Sequence, residues 1–89
     1  MGRASREKPA RLGEKLVQIR ETFGLSQNGV IRRLGLEGVI SRNNLSSYEN
    51  GRREPSLLVL LKYARAVGVP MDVLVDDKLD LPKKMRWRS

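Results

Sequence analysis

Apolar side chains recur at helical spacing in separate segments of this chain, and residues that favour helix ends lie between the segments. The first segment carries apolar residues at intervals of four, three and four positions: Leu12, Leu16, Ile19 and Phe23. This spacing places them on one stripe of an amphipathic helix, with Lys15 off the stripe. Pro9 suits the first turn and Gly24 the end, so the pattern predicts a helix from about residue 9.

Serines begin the next two predicted helices. Ser26 and Ser41 are good N-caps because a serine hydroxyl accepts a hydrogen bond from an otherwise unpaired backbone N–H. The helix after Ser26 ends near Gly35, although Gly29 inside it lowers helix stability. The helix after Ser41 ends at Gly51. It has apolar residues three positions apart on one face: Leu45 and Tyr48.

Residues 36–40, with the sequence LEGVI, connect these two helices. Gly38 gives the connection a flexible point. We expect Val39 and Ile40 to pack into the core rather than to form a strand, because no partner strand is evident along the chain.

The most apolar segment follows Pro55, which bars a helix through Glu54, and Ser56 is its predicted cap. We expect this segment to be the central core helix, with apolar residues Leu57, Leu58, Leu60, Leu61, Ala64 and Val67. A short fifth helix, about Met71 to Val75, can follow. The sequence therefore predicts an all-α fold of five helices with no strands.

The composition favours a polyanionic partner. The 89-residue chain carries 18 Lys and Arg against 10 Asp and Glu, a net charge of +8. We expect nucleic acid rather than a membrane surface to be that partner. The absence of cysteine and histidine removes disulfides, imidazole bases and the common zinc sites. With no apolar run of membrane-spanning length and no signal peptide, the sequence predicts a cytoplasmic, single-domain protein.

The helix predicted after Ser41 presents amides, hydroxyls and a guanidinium outward. These groups belong to Arg42, Asn43, Asn44, Ser46 and Ser47. In the major groove of DNA, Asn can pair with adenine, Arg with guanine and Ser with either. A solvated polar helix is the other interpretation of the same residues. Arg52 and Arg53 follow the helix C-terminus, where positive charge is favourable.

Three runs resemble the Cro and lambda-repressor-type (XRE-like) helix-turn-helix domains: SQNGVIRRLG, ISRNNLSSYENGRREPS and LLKYARAVGVPMDVL. The resemblance covers about Leu12 to Leu74 and is most specific in YENGRREPS with the following LLKYARAVGV. It implies a five-helix lambda-repressor-like domain in which residues 26–34 lie across the groove and residues 41–50 enter it. Such domains usually bind as two-fold dimers on near-palindromic operators.

The resemblance also implies roles for individual residues. Gln27 would bind a phosphate and brace the first recognition residue. The base-reading and adjacent positions would be Arg42, Asn43, Asn44, Ser46 and Ser47. The segment that meets the DNA backbone would be Asn50, Arg52 and Arg53. Arg20 and Glu49 would form a partly buried ion pair that ties the first helix to the recognition helix.

This chain departs from the family pattern between the second and third helices, where LEGVI adds about four residues. Ile31 also stands where the family commonly has alanine at the helix crossing. Our hypothesis is that the larger side chain spreads the helix pair and the longer turn spans the gap. A displaced third helix would shift the base contacts by one position.

The sequence divides into a basic N-terminal arm at 1–8, a DNA-binding domain at 9–77 and a basic tail at 78–89. The arm is either a frayed terminus or a segment that follows DNA. The tail, which contains Trp87, is either disordered or contacts the DNA backbone or a partner. Three apolar residues beyond the main core are either ordinary packing or a homodimer patch: Val75, Leu79 and Leu81.

The whole pattern indicates a sequence-specific, repressor-like homodimer that binds double-stranded DNA. An antitoxin-like module that binds a protein partner and a nonspecific architectural DNA binder are the alternatives. The serines have no imidazole base, so we expect neither an enzyme nor a cofactor. We expect a solvated acidic turn rather than a metal site from residues that lack calcium-loop order: Asp72, Asp76, Asp77 and Asp80.

Overall fold

The computed structural model describes residues 8–88, so all but the last residue of the predicted N-terminal arm lies outside the described residues. These residues form five helices and no strand, which confirms the all-α fold class. The helices are α1 (Leu12–Thr22), α2 (Gln27–Arg33), α3 (Arg42–Glu49), α4 (Leu57–Val67) and α5 (Met71–Val75).

Serine caps define the start of three helices, as the sequence predicts. The hydroxyls of Ser26, Ser41 and Ser56 each accept a hydrogen bond from the backbone N–H three residues later, at 2.9, 3.1 and 3.2 Å. In α3 the cap is reciprocal, because the side-chain oxygen of Asn44 accepts from the backbone N–H of Ser41 at 2.9 Å. Gly51 follows α3 with φ +82°, a conformation that glycine adopts without strain.

Helix α1 begins at Leu12, later than predicted, and the two residues before it are held by a side chain from far along the chain. The carboxylate of Asp77 accepts hydrogen bonds from the backbone N–H groups of Ala10 and Arg11 at 2.8 and 3.0 Å. The guanidinium of Arg11 lies 2.6 Å from the carboxylate of Asp80. The predicted solvated acidic turn therefore has a structural role, because Asp77 and Asp80 hold the start of α1 against the segment after α5.

Asp77→Asn is expected to lower the free energy of unfolding at neutral pH and to make that free energy less dependent on pH in the acidic range. Hydrogen bonds from Ala10 and Arg11 lower the pKa of Asp77, so its charge stabilises the fold above the unfolded pKa. That stabilisation is lost as the pH falls through the lowered folded pKa. Denaturant unfolding should therefore show a difference between wild type and variant that shrinks from about pH 6 to about pH 2. Glu37→Gln, which removes an exposed carboxylate, is the control, and an equal pH dependence in both variants would contradict this role.

The core draws on the inner faces of all five helices and on the segments that join and follow them. Its buried apolar residues are Leu12, Leu16, Ile19, Val30, Ile31, Leu34, Leu36, Ile40, Leu45, Val59, Leu60, Tyr63, Ala64, Val67, Val69, Leu74 and Leu81. Helices α1 and α2 both pack against α3, and α5 packs against α1 and α4. The recognition helix of the predicted domain is therefore held from two sides.

Lys15, predicted to lie off the apolar stripe, is instead fully buried, at 0% exposure. Its ammonium group donates hydrogen bonds to the backbone carbonyls of Val73 and Asp76 at 2.8 and 2.9 Å. These carbonyls lie at the C-terminal end of α5, where they lack partners within the helix and where a cation is favoured. The prediction was wrong because the charge is satisfied by groups 58 and 61 residues later in the chain.

Three apolar residues that were predicted to lie in the core are exposed. Leu57 and Leu58, on the first turn of α4, are 76% and 72% exposed, because α4 buries its opposite face. Val39 is 68% exposed, whereas Ile40 is buried as predicted. Hydrophobicity alone did not reveal which side of each segment faces the core.

The segment after α5 packs onto the helices. Leu81 is buried in the core, which favours ordinary packing over a dimer patch for that residue. The ring of Trp87 meets the ring of Phe23 edge-on, with centroids 5.3 Å apart. The guanidinium carbon of Arg33 lies 5.5 Å from the centroid of the Trp87 ring. Trp87 therefore joins the tail to the C-terminal ends of α1 and α2.

Candidate nucleic-acid interface

Helix α3 is anchored by an apolar side and presents a polar one. Leu45 is fully buried and Tyr48 packs half-buried against the core. Of the predicted base-reading residues, Arg42 and Asn43 are exposed. The half-buried members are Asn44, Ser46 and Ser47. The capped N-terminal turn thus carries the most accessible hydrogen-bonding groups of this helix.

Asn44 is a predicted base-reading residue, and its side chain also takes part in the N-terminal cap of α3. Its side-chain oxygen accepts the hydrogen bond from Ser41 described above, whereas its amide nitrogen has no hydrogen bond within the described part of the chain. While the cap is intact, one of the two lone pairs of this oxygen is in use, and both amide hydrogens stay available to a partner.

Arg20 and Glu49 form a bidentate ion pair between α1 and α3. Arg20 Nε and Nη2 donate to the two carboxylate oxygens of Glu49 at 2.8 and 3.2 Å. The Glu49 side chain is only 5% exposed. The carboxylate raises the pKa of Arg20 above its ordinary value, mainly through the hydrogen bond. The pair therefore ties the C-terminal end of α3 to α1.

Gln27, at the start of α2, joins the same pair. Its amide nitrogen donates to Glu49 Oε1 at 3.0 Å. An amide nitrogen carries two hydrogens, so Gln27 can donate the second one to a phosphate oxygen. Its predicted phosphate contact stays a prediction, and the structure adds that one carboxylate links α1, α2 and α3.

Gly13 lets α1 approach the end of α3, a role that the sequence analysis missed. A β-carbon at this position would lie 2.6 Å from the backbone oxygen of Glu49 and 3.0 Å from that of Tyr48. Real β-carbons do not approach backbone atoms so closely. The available signal was a glycine inside an otherwise regular helical pattern, where a packing reason is common.

The segment after α3 is fixed by its own backbone. The N–H groups of Arg52 and Arg53 donate to the carbonyl of Ser47 at 2.9 and 3.2 Å. The side-chain oxygen of Asn50 also accepts from the N–H of Arg52 at 3.0 Å. Both arginine side chains are exposed beside the end of α3. This places the predicted phosphate-contacting cations next to the polar helix.

The sequence profile of the family described as Helix-turn-helix matches residues 16–74, from within α1 to within α5. This range includes the α2–α3 pair and the segment that follows it. The chain belongs to the Cro/C1-type helix-turn-helix family. A relative from Sinorhizobium fredii, an uncharacterized HTH-type transcriptional regulator named y4dJ, is 35% identical over 71 residues, which cover 80% of this chain and 87% of the relative. No solved structure matches the chain significantly.

This member of the helix-turn-helix family is a DNA-binding transcriptional regulator. Across residues 8–88, no helix is long and apolar enough to cross a membrane. The same residues bring together no group of three or more His, Cys, Asp or Glu side chains that would hold a metal ion.

Proposed function

We propose that this protein is a sequence-specific transcriptional repressor that binds double-stranded DNA as a homodimer. Helix α3 enters the major groove, and each copy reads one half of an inverted repeat. The observation that carries this proposal is the way in which α3 is held. Its N-terminal turn exposes Arg42 and Asn43, and Glu49 anchors its other end. Direct readout needs such a rigid helix, because poorly held side chains lose discrimination.

Base reading and phosphate binding fall to different parts of the surface. Arg42 and Asn43 on the first turn of α3 are placed to read base edges, with Ser46 and Ser47 further along the helix. Arg52 and Arg53, beyond the end of α3, bind phosphates together with Gln27 and Asn50. Phosphate contacts set the register of the protein on DNA and carry no direct sequence information.

The homodimer is supported by the apolar surface on the first turn of α4. Leu57 and Leu58 are the most exposed large apolar residues among those the structure describes. They follow the phosphate-contacting segment closely in the chain, and we infer that a second copy covers them when two recognition helices occupy neighbouring half-sites. The predicted patch of Val75, Leu79 and Leu81 offers less apolar surface for this contact, because Leu81 is buried.

Selection of the purified protein against a random duplex library at near-physiological salt tests this proposal. An enriched inverted repeat is the expected result, with half-sites about one helical turn apart. A single enriched half-site would contradict the dimer while supporting sequence-specific binding. Salt-sensitive binding without enrichment would favour an architectural DNA binder. Absence of binding would favour an antitoxin-like protein-interaction module, with Leu57 and Leu58 as its contact surface.

Arg52→Ala is expected to weaken binding to the selected operator and to random DNA by the same factor. The lost phosphate contact should lower the slope of log affinity against log salt by about 1. Titrations at several salt concentrations measure this slope. Arg65→Ala, which removes a cation from the outer face of α4, is the matched control. An unchanged slope for Arg52→Ala, or an equal fall for both variants, would remove Arg52 from the phosphate-binding set.

A further inference from the structure

The turn between α2 and α3 exposes the apolar side chain of Val39 in a defined position. The buried side chains of Leu36 and Ile40 anchor the two ends of this turn. The backbone N–H groups of Val39 and Ile40 both donate to the carbonyl of Leu36, at 2.9 and 3.1 Å. Val39 lies between these anchors with most of its side chain exposed. Its position is therefore set by the packing of its neighbours.

Val39 and Asn44 face the same depression on the surface. Both residues line a surface depression of about 380 Å³ at the capped start of α3, together with Gly38, Ile40 and Ser41. The oxygen of Asn44 is held by the backbone N–H of Ser41. The amide N–H₂ group of Asn44 is therefore what this site offers to an acceptor, beside an apolar contact from Val39.

A donor next to an apolar side chain matches the edge that thymine presents in the major groove. Thymine carries an acceptor, O4, and a methyl group on the adjacent C5 atom, whereas cytosine presents an N4 donor and no methyl group. We propose that Val39 and Asn44 form a thymine-reading site, in which the amide of Asn44 donates to O4 and Val39 contacts the methyl group. This inference rests on the proposed function, because it requires the start of α3 to lie in the major groove.

The site gives the longer α2–α3 turn a role in recognition. The turn supplies an apolar base contact from outside α3, and Asn44 contributes its donor without breaking the cap. Bidentate pairing of Asn44 with adenine would place a second hydrogen bond on the oxygen that the cap already uses, whereas thymine needs only the free amide hydrogens. Thymine recognition is thus compatible with the folded geometry of the helix start.

Replacement of single thymines by uracil tests the Val39 contact, because uracil differs from thymine only by the methyl group. In the selected operator, one thymine of a half-site should lose about fourfold in affinity when replaced by uracil, the value of one buried methyl group. Val39→Ile should keep this dependence on the methyl group, and Val39→Ser should abolish it. Thermal unfolding of both variants checks that their stability is unchanged, as expected for an exposed position.

Asn44→Asp tests the second half of the site and leaves the cap acceptor in place. Aspartate retains an oxygen for the Ser41 N–H, and it replaces the donor to the base by a second acceptor. A preference of about tenfold for thymine over cytosine should reverse in favour of cytosine at the uracil-sensitive position, because a carboxylate accepts from cytosine N4 and repels thymine O4. The ratio of operator binding to random-DNA binding separates this reversal from general charge repulsion.

Three results would overturn the thymine site while leaving the proposed function intact. These are an operator with no uracil-sensitive position, equal uracil sensitivity in wild type and Val39→Ser, or reversal of preference in Asn44→Asp at a different position. A library selection that enriches no operator would instead overturn sequence-specific binding, and the thymine site with it.

Discussion

Arg20→Met is expected to lower the free energy of unfolding by about 3–5 kcal/mol, because it leaves the carboxylate of Glu49 buried without its cation. Methionine keeps most of the apolar stem and removes both hydrogen bonds that Arg20 donates to Glu49. Gln27 would remain as a donor to that carboxylate, and one neutral amide does not replace a guanidinium. Urea unfolding at neutral pH measures the loss.

The double variant Arg20→Met with Glu49→Met is the control for this pair. Removal of both charges should recover most of the lost stability, because well-packed apolar residues often replace a buried ion pair at little cost. Arg20→Lys should lie between wild type and Arg20→Met, since lysine keeps the charge but not the planar fork. If the losses from the two single variants simply added, Arg20 and Glu49 would not be coupled as their geometry requires.

Gly13→Ala is expected to destabilise the protein by about 2 kcal/mol, although alanine is the better helix former. The new β-carbon would lie 2.6 Å from the backbone oxygen of Glu49, so α1 must move away from the end of α3. Binding to the operator should fall more than binding to random DNA, because the shift misplaces the recognition helix. Urea unfolding and paired DNA titrations measure the two effects.

Gly29→Ala is the matched control within another helix. Its β-carbon would lie 3.1 Å from the hydroxyl of Ser26, a side-chain atom that can move by a few tenths of an ångström. We expect a stability change within about 1 kcal/mol, since better helix propensity offsets the tight contact. A Gly13→Ala variant as stable as Gly29→Ala would show that α1 and α3 have room to separate.

Local rules were sufficient to predict much of this fold. Ser26, Ser41 and Ser56 were recognisable caps because their function depends on backbone groups only three residues away. The order of five helices followed from these caps, from helix-ending glycines and from apolar spacing. The close approach of Arg20 and Glu49 was anticipated through the resemblance to the family, since nothing in the spacing of the two residues indicates it.

The features that sequence reasoning missed depend on partners far along the chain. The burial of Lys15 requires carbonyls at the end of α5, and no local pattern identifies such a partner. Val39 is as apolar as Ile40, and only the packed turn shows which of them faces outward. At the candidate site, the S-x-x-N pattern of Ser41 to Asn44 partly indicated that the Asn44 side chain takes part in the helix cap. A capping box usually has Glu or Gln at this position, so an Asn there indicates the reciprocal hydrogen bond only weakly.

The anchoring of α1 by the segment after α5 has a consequence for synthesis on the ribosome. Asp77 binds the backbone of the two residues before α1, and Lys15 donates to the carbonyls of Val73 and Asp76. A nascent chain that has emerged only as far as α4 has no partner for a buried lysine, so Lys15 cannot yet take its native, buried place. We therefore expect the native packing of α1 to form only after the segment that follows α5 has been made. A polypeptide released early would not present a finished recognition helix to DNA.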